Sequence, residues 1–202
     1  MKIIKQQEIG DIVEILKNNG VIAIATDTVF GVCATTKNKK AFDNLVRVKD
    51  RPKEKAFPIM CADIEDMRKI AIIDEKSEKI INHFMPGPLT IIVNKKKNIA
   101  KYIGNDETVA LRMATSPLLK SIIESLGSPI FMTSANKSGE KEYGSIEAII
   151  EGLPLVDGIV DSKPSYEKAS TIYDCINKKI LREGIITEED IESVLKEKND
   201  ER

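Results

Sequence analysis

The sequence has no tryptophan, only 4% aromatic residues, a single histidine and three cysteines among 202 residues. So few rings leave little with which to stack unpaired bases, which argues against a single-stranded RNA platform. Cys33, Cys61 and Cys175 are odd in number and far apart, with no Cys-x-x-Cys pair and no neighbouring histidine. That gives a disulfide framework or zinc site poor support on spacing, and they read as small apolar side chains in or near strands. His83 falls on an amphipathic helical stretch without a Ser or Cys partner in reach by spacing, and reads as structural rather than as a general base. An excess of one charge is also missing. Lys+Arg 31 against Asp+Glu 32 leaves a net charge of -1, so no global field draws the chain to a polyanion. No apolar run approaches the roughly 20 residues that span a bilayer, and Met1 to Glu8 carries no apolar signal segment. The expectation is a cytoplasmic protein with no membrane partner. Two nucleotide-binding signatures are absent as well: there is neither Gly-x-x-x-x-Gly-Lys-Ser/Thr nor Gly-x-Gly-x-x-Gly.

What is present is enough apolar material, 42% of residues, for a proper core; a chain of this size buries roughly 70% of its unfolded surface. Ile9, Ile12, Val13 and Leu16 recur at helical spacing and stop at Asn18-Asn19-Gly20, and Val21 to Ala25 reads as a buried strand feeding the polar Thr26-Asp27-Thr28 turn. A second helix over Ala41 to Val46 must end near Arg51, because Pro52 disfavours helix in the residue before it. Further strands are expected at 57–61, 89–93, 108–111, 129–132, 158–160, 171–175 and 179–181. Helices are expected at 77–84, 117–126, 145–150 and 188–196, the last capped by Thr187. Alternating elements with close antiparallel pairs such as 171–175 and 179–181 predict an α/β fold, a twisted mixed parallel/antiparallel sheet flanked by helices. No linker or repeat divides the chain, so one domain is expected over 1–198, with a frayed tail at 199–202.

Two separated clusters carry chemistry. Lys49-Asp50-Arg51-Pro52 offers a mobile point charge and a planar fork, both suited to phosphate, although a Lys-x-Arg after a helix also serves as a solvated end complementing the helix dipole. Ser134-Ala135-Asn136 sits at the carboxyl end of a predicted strand, the edge at which open α/β sheets bind ligands, although Ser, Asn and Ser138-Gly139 also suit an ordinary turn. Arg112 follows the apolar Val109-Ala110-Leu111. A charge there needs a partner, either a ligand carboxylate or a structural salt bridge. Met85-Pro86-Gly87-Pro88-Leu89-Thr90 reads as a rigid corner.

In order and spacing these pieces resemble the YrdC-like family of threonylcarbamoyl-AMP synthases. The resemblance runs from about residue 10 to 186 through Thr26-Asp27-Thr28-Val29-Phe30-Gly31, Lys49-Asp50-Arg51-Pro52, Pro86-Gly87-Pro88-Leu89-Thr90, Val109-Ala110-Leu111-Arg112, Thr133 to Gly139, Ser170-Thr171-Ile172 and Leu181-Arg182-Glu183-Gly184. It implies a short, single-domain synthase that makes threonylcarbamoyl-AMP and pyrophosphate from L-threonine, bicarbonate and ATP, for N6-threonylcarbamoyladenosine at position 37 of tRNA. It further implies ATP with Mg²⁺ and no prosthetic group, with a tRNA-modifying threonylcarbamoyl transferase complex downstream.

Carried over by motif, Lys49 and Arg51 would serve catalysis and, with Lys55, Thr108, Ser134, Asn136 and Arg182, hold ATP; Thr28, Arg112, Met132 and Ser170 would hold threonine. No protein metal ligand is named. The sequence departs from the family's pattern at Ala25, Phe30, Met60 and Ala114. Competing readings are a non-catalytic module binding tRNA or double-stranded RNA, with Lys95-Lys96-Lys97 and Lys178-Lys179 in its patch, and a synthase of another carbamoyl adenylate.

Overall fold

The computed structural model describes residues 1–164 and 170–196, and the expected frayed tail at 199–202 lies outside them. The chain begins with an edge strand, β1 (Lys2–Lys5), and then α1 (Ile9–Lys17), whose Ile12, Val13 and Leu16 are buried on one face. Asn19 takes a left-handed φ of 68° just beyond it, so the Asn-Asn-Gly stop acts one residue before the glycine. β2 (Ile22–Ala25) and β3 (Phe30–Thr35) form an antiparallel pair. The sequence gives no expectation of β3 because its six residues lack alternation; all six are buried, as suits a strand covered on both faces.

α2 (Lys39–Lys49) is capped by Asn38, whose Oδ1 accepts from Ala41 N at 3.0 Å. It ends at Asp50 in the left-handed conformation, φ 46°, which turns the chain sharply between Lys49 and Arg51. β4 (Ile59–Cys61) follows, then α3 (Ile64–Ile70), too short to show a sequence period but capped by Asp63. α4 (Glu75–Phe84), β5 (Leu89–Asn94) and β6 (Thr108–Met113) lead to α5 (Pro117–Leu126), which has Ser116 as its cap and Gly127 at φ 66° as its stop. β7 (Ile130–Ser134), α6 (Ile146–Gly152), β8 (Gly158–Asp161), β9 (Thr171–Asp174), β10 (Lys179–Arg182) and α7 (Glu188–Lys196) complete the order. Thr187 caps α7 as expected, accepting from Asp190 N at 3.2 Å.

One ten-stranded mixed sheet results, in the order β1-β8-β2-β3-β7-β4-β6-β5-β9-β10. The predicted hairpin of β9 and β10 is antiparallel, with a register shift between Ile180 and Arg182 that leaves Leu181 as an extra residue. The two faces are covered unequally. On one, α2, α3, α4, α6 and α7 bury a continuous core containing Leu45, Ile59, Ile91, Leu111 and Phe131. On the other, α1 and α5 seal only part of the sheet, packing Leu16, Leu119 and Ile123 against Ile22, Ile24, Met60, Ile130 and Met132. Beyond them the same face of β6, β5 and β9 is open. There Ala110, Arg112, Ile92 and Ile172 are half-buried, while the alternate residues Leu111, Ile91 and Tyr173 point into the opposite core. Among the described residues no helix is long and apolar enough to cross a membrane.

Candidate active site

The open half of that face floors a cavity of about 240 Å³. Pockets that enclose drug-sized ligands measure roughly 300–1,000 Å³, so this one matches a smaller molecule such as an amino acid. A second cavity of about 690 Å³ adjoins it, and Val29 and Glu142 line both.

The turn between β2 and β3 supplies one wall. Thr26 Oγ1 donates to Val29 O at 2.7 Å and accepts from Thr28 N and Val29 N, closing a hydroxyl-mediated turn. Thr28 is thereby buried against the cavity and Asp27 is carried toward β6. Arg112 Nη2 donates to both carboxylate oxygens of Asp27 at 2.5 Å, in a pair whose side chains are only 12% and 19% exposed. The sequence left a salt bridge and a ligand carboxylate open for Arg112; the bridge is present. Arg112 still faces the cavity, and its buried Nε has no hydrogen-bond partner among the described residues. A guanidinium already paired with a carboxylate but keeping an unused buried donor can take a further anionic acceptor.

At the far wall, Arg182 Nε and Nη2 donate to Ser170 O at 3.0 and 2.8 Å, and Nη2 reaches Ser170 Oγ at 2.9 Å. The extra residue in β10 re-aims Arg182 across β9 to make these contacts. Burial, and then the neighbouring Arg112, lower the Arg182 pKa, with Glu142 opposing. Two guanidiniums thus share one small cavity, with Asp27 paired to Arg112 and Glu142 on the lining, so the cavity offers an anionic ligand their remaining N–H donors rather than an excess of positive charge.

Lys49 departs from the alternative reading of a solvated helix end. It is 1% exposed, and its Nζ donates to Ser134 O at 2.6 Å and to Asn136 Oδ1. Ser134 Oγ donates to the same Oδ1 at 2.8 Å, and Asn136 Nδ2 donates to Glu140 O at 2.6 Å. The solvated-end reading is therefore corrected for Lys49: its side chain is buried although Arg47 and Asp50 beside it are exposed, and the loop after β7 folds over the ammonium, with Ser138 N bonded to Lys49 O at 2.8 Å. Desolvation, with a smaller push from Arg51, lowers the Lys49 pKa to about 8, against a pull from Glu142. Two of its three N–H groups are engaged, which leaves one for a further acceptor.

Other predicted residues stand apart. Arg51 is tied to its own loop, Nε to Lys55 O at 3.0 Å and Nη2 to Ala56 O at 2.9 Å, with its guanidinium carbon 4.9 Å from the centre of the Phe57 ring. Lys55 is exposed on that loop. Thr108 starts β6, four residues before Arg112 on the same face, and accepts from Asn105 Nδ2 at 2.8 Å. Neither Lys49, Arg51, Lys55, Thr108 nor Asn136 lines the 240 Å³ cavity; Thr28, Arg112, Met132, Ser134, Ser170 and Arg182 do. Lys95, placed by sequence in a basic surface patch, is buried and donates to Ile103 O at 2.8 Å, which removes it from that patch.

The Sua5/YciO/YrdC family profile, described as "Telomere recombination", matches residues 14–184. The chain belongs to this family. The threonylcarbamoyl-AMP synthase of Aliivibrio fischeri is 34% identical over 187 residues, covering 88% of this chain and 100% of that protein. The Bacillus subtilis threonylcarbamoyl-AMP synthase is 33% identical over 195 residues, covering 93% of this chain and 56% of its own length. Among solved structures, P. abyssi Sua5 complexed with L-threonine superposes with a TM-score of 0.89 at 27% identity, covering 97% of this chain and 61% of that one. The chain thus spans just over half the length of the longer relatives and the whole of a short one.

Within this Sua5/YciO/YrdC domain, sequence reasoning gave no role to Glu142 and Thr90, which line the cavity, or to Asp27, which holds Arg112 beside it. Asp27 was legible on the argument applied to Arg112, since it too is a charge at the end of a buried strand. Glu142 lies in a loop without periodicity, and nothing in the sequence marks it. Thr90 sits in a segment whose prolines and glycine turn geometry already explains, yet its hydroxyl is buried at the cavity wall.

Proposed function

We propose that the chain is an L-threonylcarbamoyladenylate synthase. The threonine nitrogen forms a bond to the carbon of bicarbonate-derived CO₂; a carbamate oxygen then attacks the α-phosphorus of ATP, and the bond to pyrophosphate breaks. The observation that carries this reading is the pairing of Arg112 and Arg182 in one amino-acid-sized cavity beside the buried Lys49, Ser134 and Asn136 cluster. Anion recognition at the cavity floor adjoins cationic chemistry at its edge.

Arg112 takes the threonine carboxylate, with Thr28 and Ser170 offering hydroxyls and Met132 a wall. Lys49, Arg51 and Lys55 take the phosphates, Ser134 and Asn136 hold Lys49 in place, Arg182 closes the cradle and Thr108 contacts the nucleotide. Such a reaction needs in-line positioning and positive charge on the departing pyrophosphate, and no side-chain nucleophile. Burial keeps Cys33 and Cys61 as thiols, raising Cys33 to about 12 and Cys61 still further, so neither offers a thiolate. Mg²⁺ enters with ATP, held by phosphate oxygens and water; among the described residues no group of three or more His, Cys, Asp or Glu side chains could hold a metal. The product is consumed in the cytoplasm by the transferase complex that modifies tRNA.

The test is pyrophosphate release by the purified chain with ATP and Mg²⁺, adding threonine and bicarbonate singly and together. Release that requires both supports the synthase. Release with ATP alone, or none from folded protein, contradicts it.

A further inference from the structure

Thr90 Oγ1 lies 3.3 Å from Ser170 Oγ, both side chains are buried, and both line the cavity. The parallel pair of β5 and β9 brings them together on a diagonal: Thr90 is opposite Ile172, two residues beyond Ser170, and Thr171 N is bonded to Pro88 O at 2.9 Å. Thr171 points to the opposite face, where its Oγ1 donates to Ile186 O at 2.7 Å, so alternation turns Ser170 toward the cavity.

The proton count at this pair is informative. Each hydroxyl has one proton to give and two lone pairs to receive. Arg182 Nη2 is a donor only and fills one lone pair of Ser170 Oγ at 2.9 Å. A single hydrogen bond joins the two hydroxyls, and it uses one of their two protons. Among the described residues no other acceptor meets either oxygen, so one O–H of the pair has no protein acceptor there whichever residue donates to the other, and it is free to turn into the cavity that both side chains line. If Thr90 donates, both lone pairs of Ser170 are filled and its proton faces inward. A guanidinium polarising the pair strengthens that outward donor.

We propose that Thr90 is a positioning residue for the amino-acid substrate, locking Ser170 so that the pair presents one outward hydroxyl donor to the anionic end of the ligand. This rests on the synthase reading and adds to it a residue that acts through Ser170. The pair is neutral, so it complements the cation of Arg112 without adding repulsion between guanidiniums.

The test uses the full chain and L-threonine, with Kd from calorimetry and KM values from pyrophosphate release. Thr90→Val, which keeps the shape and removes the hydroxyl, leaves Ser170 its proton but not the partner that fixes its direction; it raises threonine Kd and KM about two- to tenfold, the ratio that the lost hydrogen bond to Ser170 represents, and leaves the ATP KM unchanged. Thr90→Ser restores wild-type values. In a Ser170→Ala background, Thr90→Val or, should that variant not fold, Thr90→Ala adds no further loss. Wild-type threonine binding in Thr90→Val, an equal rise in both KM values, or full additivity with Ser170→Ala overturns the inference alone. Wild-type protein that binds no threonine overturns the synthase reading and this inference together.

Discussion

Asp27 and Arg112 stand 85 residues apart in sequence and meet at the cavity, Nη2 donating to both carboxylate oxygens at 2.5 Å. The contact fixes the guanidinium against the turn between β2 and β3 and leaves its other nitrogens for a ligand. Replacing Asp27 by Asn leaves a largely buried cation uncompensated. The expected loss of stability is about 1–3 kcal/mol by urea denaturation, with a fall in threonine affinity because the guanidinium is no longer held. Unchanged stability would argue that the pair is incidental.

Arg112→Ala is expected to separate the two substrates. The threonine KM rises at least about tenfold, as for loss of a charge-assisted contact, while the ATP KM moves little. A change confined to ATP reverses the assignment. For Arg51→Ala the expectation is the opposite: the fold remains, because the side chain bonds only to its own loop, and adenylate formation collapses.

Lys49 links pH to both stability and ATP binding, with opposite signs. Its folded pKa, about 8, lies below the unfolded value near 10.5, so between these values the unfolded chain binds more protons. Stability contributed by this group is therefore lowest below pH 8 and rises toward pH 10.5. The cation that phosphate needs is lost over the same rise. ATP affinity is expected to fall through an inflection near pH 8, measured by titration calorimetry, and Lys49→Met should bind weakly with that inflection gone. An unaltered inflection in Lys49→Met assigns it to another group.

Gly31 lines the cavity, and a Cβ there would lie 2.6 Å from Met132 Sδ and 3.2 Å from Thr133 O. The thioether can yield, but the strand carbonyl cannot. Gly31→Ala is expected to cost about 1–3 kcal/mol and to raise the threonine KM, since the added methyl enters the site. Wild-type kinetics would show that the wall is softer than its packing implies.

Phe131 is fully buried, with ring centroids of Phe42 and Phe57 at 5.7 and 6.0 Å. Phe131→Ala is expected to lose about 3–5 kcal/mol of stability in denaturant.

The sequence announced the elements that obey a period and missed those that do not. α1, α2, α4, α5 and α7 show apolar residues at helical spacing, and the hairpin of β9 and β10 follows from two short runs around polar turn residues. β3 has no alternation because both its faces are covered, and β1 is a short strand whose pairing with β8 joins residues more than 150 apart. At the site, Lys49 and Ser134 could be named from local chemistry, but their hydrogen bond depends on the loop after β7 folding back over α2. Glu142 acts through proximity to Lys49 and Arg182, which no local pattern encodes. Thr90 was hidden because turn geometry already accounted for its neighbours.

The central claim is most directly tested by the identity of the product. The purified chain should be incubated with ATP, Mg²⁺, L-threonine and ¹³C-bicarbonate, and the adenylate fraction examined by mass spectrometry. The account predicts an adenylate of threonylcarbamate whose mass rises by one unit with the labelled carbon and which is absent without threonine. An adenylate that carries no label, or that forms equally well without threonine, would contradict it.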